Sequence, residues 1–550
     1  MNNFLKKKIY FILLIVILFL SLFLRLYKVN TNPPSLDWDE ASIGYNAYSI
    51  LKTGADEYGN KFPLSMRSFD DYKPPLYIYL DVPSIAIFGL NETGVRFPAA
   101  LFGFLSVAVI YFLAKEIFYN WEKNQKEKIA LLSAFFLGVS PWHLQFSRAA
   151  FEGNLGLFFF MLGFLFFLKA LKNPKLIIVS AVYFCLSIYS YHSFRLVIPI
   201  FIVLLAGYFW KEIIKNKKYF SAGLILAFFL AVPVFLNFTS SQGSGSRLSM
   251  VSVFSSGDIL NNSIKQMEHD RANNDSIGSL FHNRRVVYFL SAAKGYFDHW
   301  NPDFLFLHGD GGRQHHAVDM GMLYLWDLPF ILLGLHALLN RRTKRILLLI
   351  MMFLIAPLPS AIATGTPHPV RAIAMVPAFS IFTAVGIYFA FFRDKKKQTL
   401  IFLGIASIFF ILNFSYYLHQ YYVHTPLEYG DFWQYGHKEA FQDAKSLEKK
   451  YDKIIFTYKY DQPYIYYLFD NKIDPSWYQN NWDYLKTGQT ERMRRVIGKY
   501  EFRNIDWSKD RSSKNTLLIG SPQEIPHNAP GLLKTIYFPD RSVAFRIVGT

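Results

Sequence analysis

Three carboxylates fall within four residues at Asp37-Trp38-Asp39-Glu40, just after Pro33-Pro34. Acids this close can divide labour, one capping a helix while another takes a proton from an attacking hydroxyl as a general base. Asp37 with Glu40 three residues on reads as a capping box for a helix through Tyr45 and Tyr48 to about Lys52. That assignment leaves Asp39 over, near the helix start. The helix amino terminus lowers the pKa of a carboxylate placed there, and an apolar pocket raises it. Both readings of the trio, capping and catalysis, stay open at this level.

Basic residues are spread more widely. Arg148, Arg195 and Arg371 stand nearly alone in short connections between apolar runs, Arg96 opens another run, and Lys73 precedes Pro74-Pro75. Arginine makes paired, charge-assisted hydrogen bonds to phosphate, so such a set suits a phosphate leaving group, with Lys73 in reach of the same group. The structural alternatives are interfacial anchoring by snorkelling for the arginines and a rigid turn for Lys73-Pro74-Pro75. Arg148 and Glu152 could also form a helix-surface pair worth about 0.2–0.5 kcal/mol. Residues 296–321 hold His299, His308, His315, His316, Asp310 and Asp319. No pair there has the His-Glu-x-x-His spacing of a helical metal site, so no metal is assigned. The stretch reads instead as a substrate loop, with Asp310, Arg313 and His315 recognising sugar or phosphate.

These residues must be held by a membrane protein. Of 550 residues, 52% are hydrophobic and only 18% are charged, against about 25% in soluble proteins. Apolar runs of bilayer-spanning length recur, about eleven of them, near 9–26, 95–118, 129–144, 155–171, 176–191, 196–210, 219–238, 321–339, 346–362, 372–392 and 400–417. The first follows Lys6-Lys7-Lys8 but is too long for a signal-peptide core and reads as a retained span. Residues 75–90 are short, carry Asp81 and Pro83, and read as an interfacial or re-entrant helix. Lysines and arginines load alternate connections, which places the amino terminus in the cytoplasm and the carboxyl terminus outside. The net charge of +18 follows that pattern rather than one soluble face, so nucleic acid is not a partner. The single cysteine, Cys185, excludes an intrachain disulfide.

The organisation expected is therefore mostly α: a transmembrane domain over 1–417 and a small extracytoplasmic α/β domain over 418–550. Outer loops cover 27–94 and 239–320, the second opening on a Gly/Ser-rich hinge at 240–246. In the tail, 453–458 and 516–519 read as buried strands, 439–450 as a helix, and 535–538 with 542–548 as a hairpin.

Several motifs in this order carry a family resemblance: Asp39-Glu40-Ala41, Lys73-Pro74-Pro75-Leu76-Tyr77, Gly94-Val95-Arg96-Phe97-Pro98, Ser147-Arg148 with Glu152, His192-Ser193-Phe194-Arg195, and Pro369-Val370-Arg371-Ala372. The chain resembles the GT-C class of membrane glycosyltransferases, and within it the protein O-mannosyltransferase and aminoarabinose-transferase group (families 39 and 83). Phe304-Leu305-Phe306 with Gly309-Asp310 resembles a bacterial mannosyltransferase-like branch. The resemblance implies a polyprenyl-phosphate sugar donor, used at the outer face of the cytoplasmic membrane; the acceptor, lipid, glycan or protein, stays open, a protein acceptor not being implied because no MIR-type β-trefoil repeats are seen, and no cofactor is expected. It makes Asp39 and Glu40 catalytic, with Asp39 the base; the mechanism expected from these residues is a single displacement with inversion. Glu152 falls where the group often has Asp. Lys73, Arg96, Arg148, Arg195 and Arg371 would serve the donor phosphate. A lipid-linked sugar flippase would place its ionisable sites near mid-membrane, whereas here the acids crowd one edge. A surface polysaccharide polymerase or ligase would consume diphosphate-linked glycans instead.

Overall fold

The structure, a computed structural model, describes residues 3–69, 71–239, 252–393, 397–481 and 495–550. The hinge expected at 240–246 lies outside the described residues. The chain divides into two compact units: Met1–Arg25, Ala99–Ser147 and Phe151–Leu418 form one, and Leu26–Pro98, Arg148–Ala150 and His419–Thr550 the other.

Seven described helices are long and apolar enough to cross a membrane: Leu5–Leu26, Glu92–Ile117, Glu152–Ala170, Lys217–Asn237, Lys344–Ala361, Ile373–Phe392 and Leu400–Glu428. Shorter apolar helices cover Leu76–Phe88, Pro174–Ser190, Phe194–Tyr208 and Asp327–Leu339. Every run read as a span is helical over most of its length, so the multi-pass α-helical class holds. Two boundaries move. The run at 129–144 forms Lys123–Val139 and stops at Ser140, which caps the separate helix Pro141–Phe146. The run at 321–339 becomes helical only at Asp327. Before it, the Met322 and Leu323 amides donate to the carbonyls of Phe304 and Leu305, which fixes an extended strap. Gly321 allows that approach, because a Cβ there would stand 2.5 Å from the Phe306 backbone.

Within the larger unit, small residues let helices touch. A Cβ at Gly334 would stand 1.9 Å from the Phe382 carbonyl oxygen, and one at Gly386 2.0 Å from that of Phe330. Helices Asp327–Leu339 and Val376–Ile387 therefore pack backbone to backbone. In the hairpin of Glu152–Ala170 with Ile177–Ser190, Ser180 and Ser187 donate to the carbonyls of Gly163 and Gly156 at 2.7 and 2.8 Å.

The other unit joins the first loop to the tail. Helix Trp38–Thr53 is buried along most of its length and ends at Gly54, whose φ of 71° is the left-handed geometry glycine adopts freely. Its interior polar side chains are satisfied: Ser42 Oγ with Ser68 Oγ at 2.9 Å, Asn46 Nδ2 to Glu57 Oε1 at 3.2 Å, and Ser49 Oγ to the Ala55 carbonyl at 2.8 Å. Strands β1 (Met66–Ser68) and β2 (Asp71–Lys73) form an antiparallel hairpin. Helix Leu76–Phe88 fills the segment expected to lie in the interface.

The tail is a six-stranded mixed sheet. Its strands are β3 (Lys453–Phe456), β4 (Arg495–Ile497), β5 (Tyr500–Phe502), β6 (Thr516–Gly520), β7 (Leu532–Tyr537) and β8 (Val543–Gly549), in the order β4-β5-β3-β6-β8-β7. β3 is parallel to both neighbours, and β7 with β8 is the expected antiparallel hairpin. Helix His437–Leu447 packs Phe441 on Phe456, ring centroids 4.3 Å apart. The tail also grips the first-loop helix. Tyr466 Oη donates to the Leu36 carbonyl and Tyr45 Oη to that of Ile473, each at 3.1 Å. Gln479 Nε2 reaches Ser49 Oγ, Thr53 Oγ1 and the Asp56 carbonyl at 2.8–3.0 Å. Phe469 lies where a Cβ on Gly44 would be, 2.7 Å away.

Candidate active site

The capping box at the start of helix Trp38–Thr53 is present. The Glu40 amide donates to Asp37 Oδ1 at 2.8 Å, and the Asp37 amide to Glu40 Oε2 at 3.4 Å. Asp37 is buried, and that burial, helped by the charges of Glu40 and Asp39, holds its carboxyl well above the usual carboxylate range. Asp39 stands apart. Its side chain is 50% exposed and meets Lys73 Nζ at 2.5 Å, while Lys73, at the end of β2, is 5% exposed. The lysine is sunk and the acid faces out.

Glu40 is committed to the fold. Oε1 accepts from Arg96 Nε and from the Ala150 amide, both at 2.9 Å, and Oε2 accepts from Arg96 Nη2 at 2.8 Å. Arg96 spends its other donors on main-chain carbonyls. Nη1 reaches Val29 and Pro33 at 3.0 and 2.9 Å, and Nη2 reaches Ser35 at 2.6 Å. A guanidinium has five N–H groups, and all are used. The expectation that Arg96 binds a donor phosphate is therefore corrected: it has no hydrogen left to offer and is wholly buried.

Arg148 plays the same part from another segment. Nε donates to Tyr421 Oη at 3.0 Å, and Nη2 to the carbonyls of Tyr27 and Asn32 at 2.7 and 2.9 Å. Its guanidinium lies 5.2 and 5.3 Å from the rings of Tyr421 and Tyr422. Two buried arginines thus gather five carbonyls of residues 27–35, the lead-in to the acidic helix. Residues 147–151 are not helical, so the continuous helix on which that spacing would make a surface pair is not formed there.

The remaining candidates lie in the other unit. Glu152 opens helix Glu152–Ala170, and Arg195 sits in the first turn of Phe194–Tyr208, each half-buried. Arg371 Nη1 donates to the Thr364 carbonyl at 2.7 Å. In the substrate loop Asp310 Oδ2 meets His315 Nδ1 at 2.7 Å, and the His315 ring lies 4.9 Å from that of His368. His316 Nε2 bonds the Asp310 carbonyl at 2.9 Å, Gln145 Nε2 donates to the Gln314 carbonyl at 2.5 Å, and Arg313 is exposed. Among the described residues no three His, Cys, Asp or Glu side chains gather as a metal site. The structure thus brings Asp39 to Lys73, Glu40 to Arg96, and Asp310 to His315.

Sequence reasoning missed Tyr27, Tyr421 and Tyr422 around Arg148, because the last two come more than 270 residues after it. It also missed Asp81, a buried carboxyl whose two oxygens have no hydrogen-bond partner among the described residues. An aspartate inside an apolar helix was the available signal.

Comparison with known proteins follows the same lines. The family described as dolichyl-phosphate-mannose-protein mannosyltransferase matches residues 72–236, which takes in Lys73, Arg96, Arg148, Glu152 and Arg195. YkcB of Bacillus subtilis, a mannosyltransferase-type protein, is 26% identical over 189 residues, covering 33% of this chain and 24% of its own length. ArnT from Cupriavidus metallidurans, in its complex with undecaprenyl phosphate, aligns over 100% of this chain and 98% of its own, with 12% identity and a TM-score of 0.52. The Archaeoglobus fulgidus oligosaccharyltransferase AglB, with an inhibitory peptide and dolichol phosphate, aligns over 85% of this chain and 64% of its own, with 14% identity and a TM-score of 0.50. The chain thus has the fold of the GT-C glycosyltransferases and, over residues 72–236, resembles the protein mannosyltransferase family in sequence.

Proposed function

We propose that this chain is an inverting glycosyltransferase of the cytoplasmic membrane. It moves a sugar from a polyprenyl phosphate to an acceptor hydroxyl on the outer face. Asp39 carries the reading: it is the half-exposed carboxylate in a cluster whose other acids are buried in a cap and an ion pair. It takes the acceptor proton as the acceptor oxygen bonds to the anomeric carbon, and the bond from that carbon to the phosphate oxygen breaks. The lipid phosphate leaves with the electron pair and needs no proton, so no general acid is called for. Lys73, beside Asp39, offers a positive charge to the departing phosphate. The roles proposed for Arg195 and Arg371, binding donor phosphate, and for Glu152, assisting catalysis, rest on the family resemblance of their motifs. Glu40 and Arg96 act as positioning residues.

The lipid-phosphate complexes of ArnT and AglB support a polyprenyl-phosphate partner. The reaction as written uses no cofactor. The amino terminus is assigned to the cytoplasm and the tail domain to the outside, from the charge pattern of the connections.

Purified protein incubated with polyprenyl-monophosphate sugars and, separately, with diphosphate-linked glycans tests this reading. Transfer with release of free polyprenyl phosphate is expected from the first only, and not from Asp39→Asn. Consumption of the diphosphate glycan would point to a polymerase or ligase. Movement of donor across vesicles without sugar transfer would point to a flippase.

A further inference from the structure

The amphipathic helix Arg284–Asp298 has two apolar faces with different fates. Asn283 caps it, accepting from the Arg285 and Val286 amides. One face packs inward. A Cβ on Gly295 would stand 2.9 Å from the Ala361 carbonyl, and Tyr296 Oη donates to the Leu354 carbonyl at 3.0 Å. Both acceptors belong to the apolar span Lys344–Ala361. Leu354 lies seven residues before the end of that span, roughly 10 Å along a helix axis. The helix therefore runs beside the last stretch of a span and not beyond it.

The opposite stripe, Val286, Phe289, Leu290, Ala293 and Phe297, keeps the three- and four-residue spacing of one helix face. Phe289, Leu290 and Phe297 are 70%, 57% and 67% exposed. The preceding turn adds Ile277, Leu280 and Phe281, exposed to similar degrees. Arg284, Arg285 and Lys294 flank the stripe, all exposed. A large apolar face rimmed by cations, held at the depth of a span, has the chemistry of the bilayer interface on it. Lipid covers such a face at no desolvation cost, whereas water does not.

We infer that helix Arg284–Asp298 is seated in the interfacial layer of the bilayer its own chain crosses, with Phe289, Leu290 and Phe297 among acyl chains and Arg284 and Arg285 at lipid phosphates. The seat reaches further through two bonds. Thr366 Oγ1 donates to Asp298 Oδ2 at 2.7 Å, and the His368 amide to His299 Nε2 at 3.0 Å. His299 Nδ1 in turn bonds the Gly295 carbonyl at 2.7 Å. The segment that carries Arg371 is thus tethered to a lipid-borne helix. Any catalytic consequence of that tether rests on the proposed role of Arg371, but the lipid seat itself does not.

The test uses full-length protein in lipid nanodiscs, with Cys185→Ser as background. Single cysteines, Phe289→Cys, Phe297→Cys and, as a water-facing control, Gln266→Cys, are labelled with an environment-sensitive fluorophore. The labels at 289 and 297 are expected to emit further to the blue and to be quenched severalfold more by lipids brominated in the acyl chain than the label at 266. Equal quenching of all three by aqueous iodide would overturn the seat. Unlabelled wild-type protein gives a reading that needs no variant. A photoreactive phospholipid should crosslink peptides from 284–298, and crosslinks confined to span peptides would count against the inference. Neither readout depends on glycosyl transfer.

Discussion

The start of helix Trp38–Thr53 and the loop around Asp310 both set carboxylates beside cations, yet they are built on opposite plans. At the helix, Arg96, permanently charged and buried, spends its donors on Glu40 and on main-chain oxygens, so the electrostatics are fixed by the fold. One acid, Asp39, is left half-exposed with a lysine at its side. In the loop the acid is the buried member, 6% exposed, and its partner is a histidine. Crowded charge in a sequence therefore marks two different things: a frame, drawn from distant segments, that holds one reactive group still, and a pair closed within a single loop.

The largest effects should separate Asp39 from its neighbour. Asp39→Asn is expected to cut turnover by about 10²–10⁴-fold, the usual worth of a general base, with a smaller loss of melting temperature than the Glu40 variant, because Asp39 is half-exposed and the asparagine oxygen still accepts from Lys73. Glu40→Gln should do the reverse in kind. It leaves the buried Arg96 charge uncompensated, at a cost of about 3–5 kcal/mol, and should show as lost yield or a lower melting temperature before any kinetics. If the Glu40 variant were as stable as wild type and merely slow, the division between frame and reactive group would be wrong.

A smaller effect should come from the loop. Asp310→Asn replaces a charged partner of His315 by a neutral one, and the donor KM is expected to rise about tenfold, or ~1.4 kcal/mol, with kcat nearly intact. A drop in kcat alone would move this pair into the frame class. The tail offers an effect on stability that leaves turnover untouched. Asp470, whose Oδ2 is buried, is raised by that burial to about 7. Between its ordinary value near 3.8 and about 7 the folded domain keeps a proton that the unfolded chain has lost, so stability falls as pH rises through that window and levels off above it. His437, lowered to about 4 by burial, slopes the other way between about 4 and 6.5. Comparing Asp470→Asn with wild type isolates the first slope. Melting temperatures of the two should converge below pH 4 and diverge toward pH 7, and parallel curves would contradict it.

The sequence made the helices plain, because runs of bilayer length have few alternative structures. It also made the capping box plain, since Asp37 and Glu40 sit at the one spacing that lets each reach the other's backbone. The long strands of the tail were readable, whereas β4 and β5, three residues each, are too short for a two-residue period to register. Arg96 shows the deeper limit. Its type and position suit phosphate binding, and only the carbonyls of Val29, Pro33 and Ser35, more than sixty residues earlier, decide otherwise. A residue's type tells what it can bind. What it does bind depends on which groups the chain brings round to meet it.

One consequence follows from the way residues 27–35 are gripped. The two guanidiniums hold main-chain oxygens, which every amino acid possesses, and not side chains. That stretch can therefore drift in composition where its side chains are exposed, at Lys28, Asn30 and Thr31, while the bearing of Asp39 toward its lysine stays where it is; the buried Val29 and Asn32, whose Nδ2 donates to the Tyr421 carbonyl, are less free. The two arginines have no such latitude.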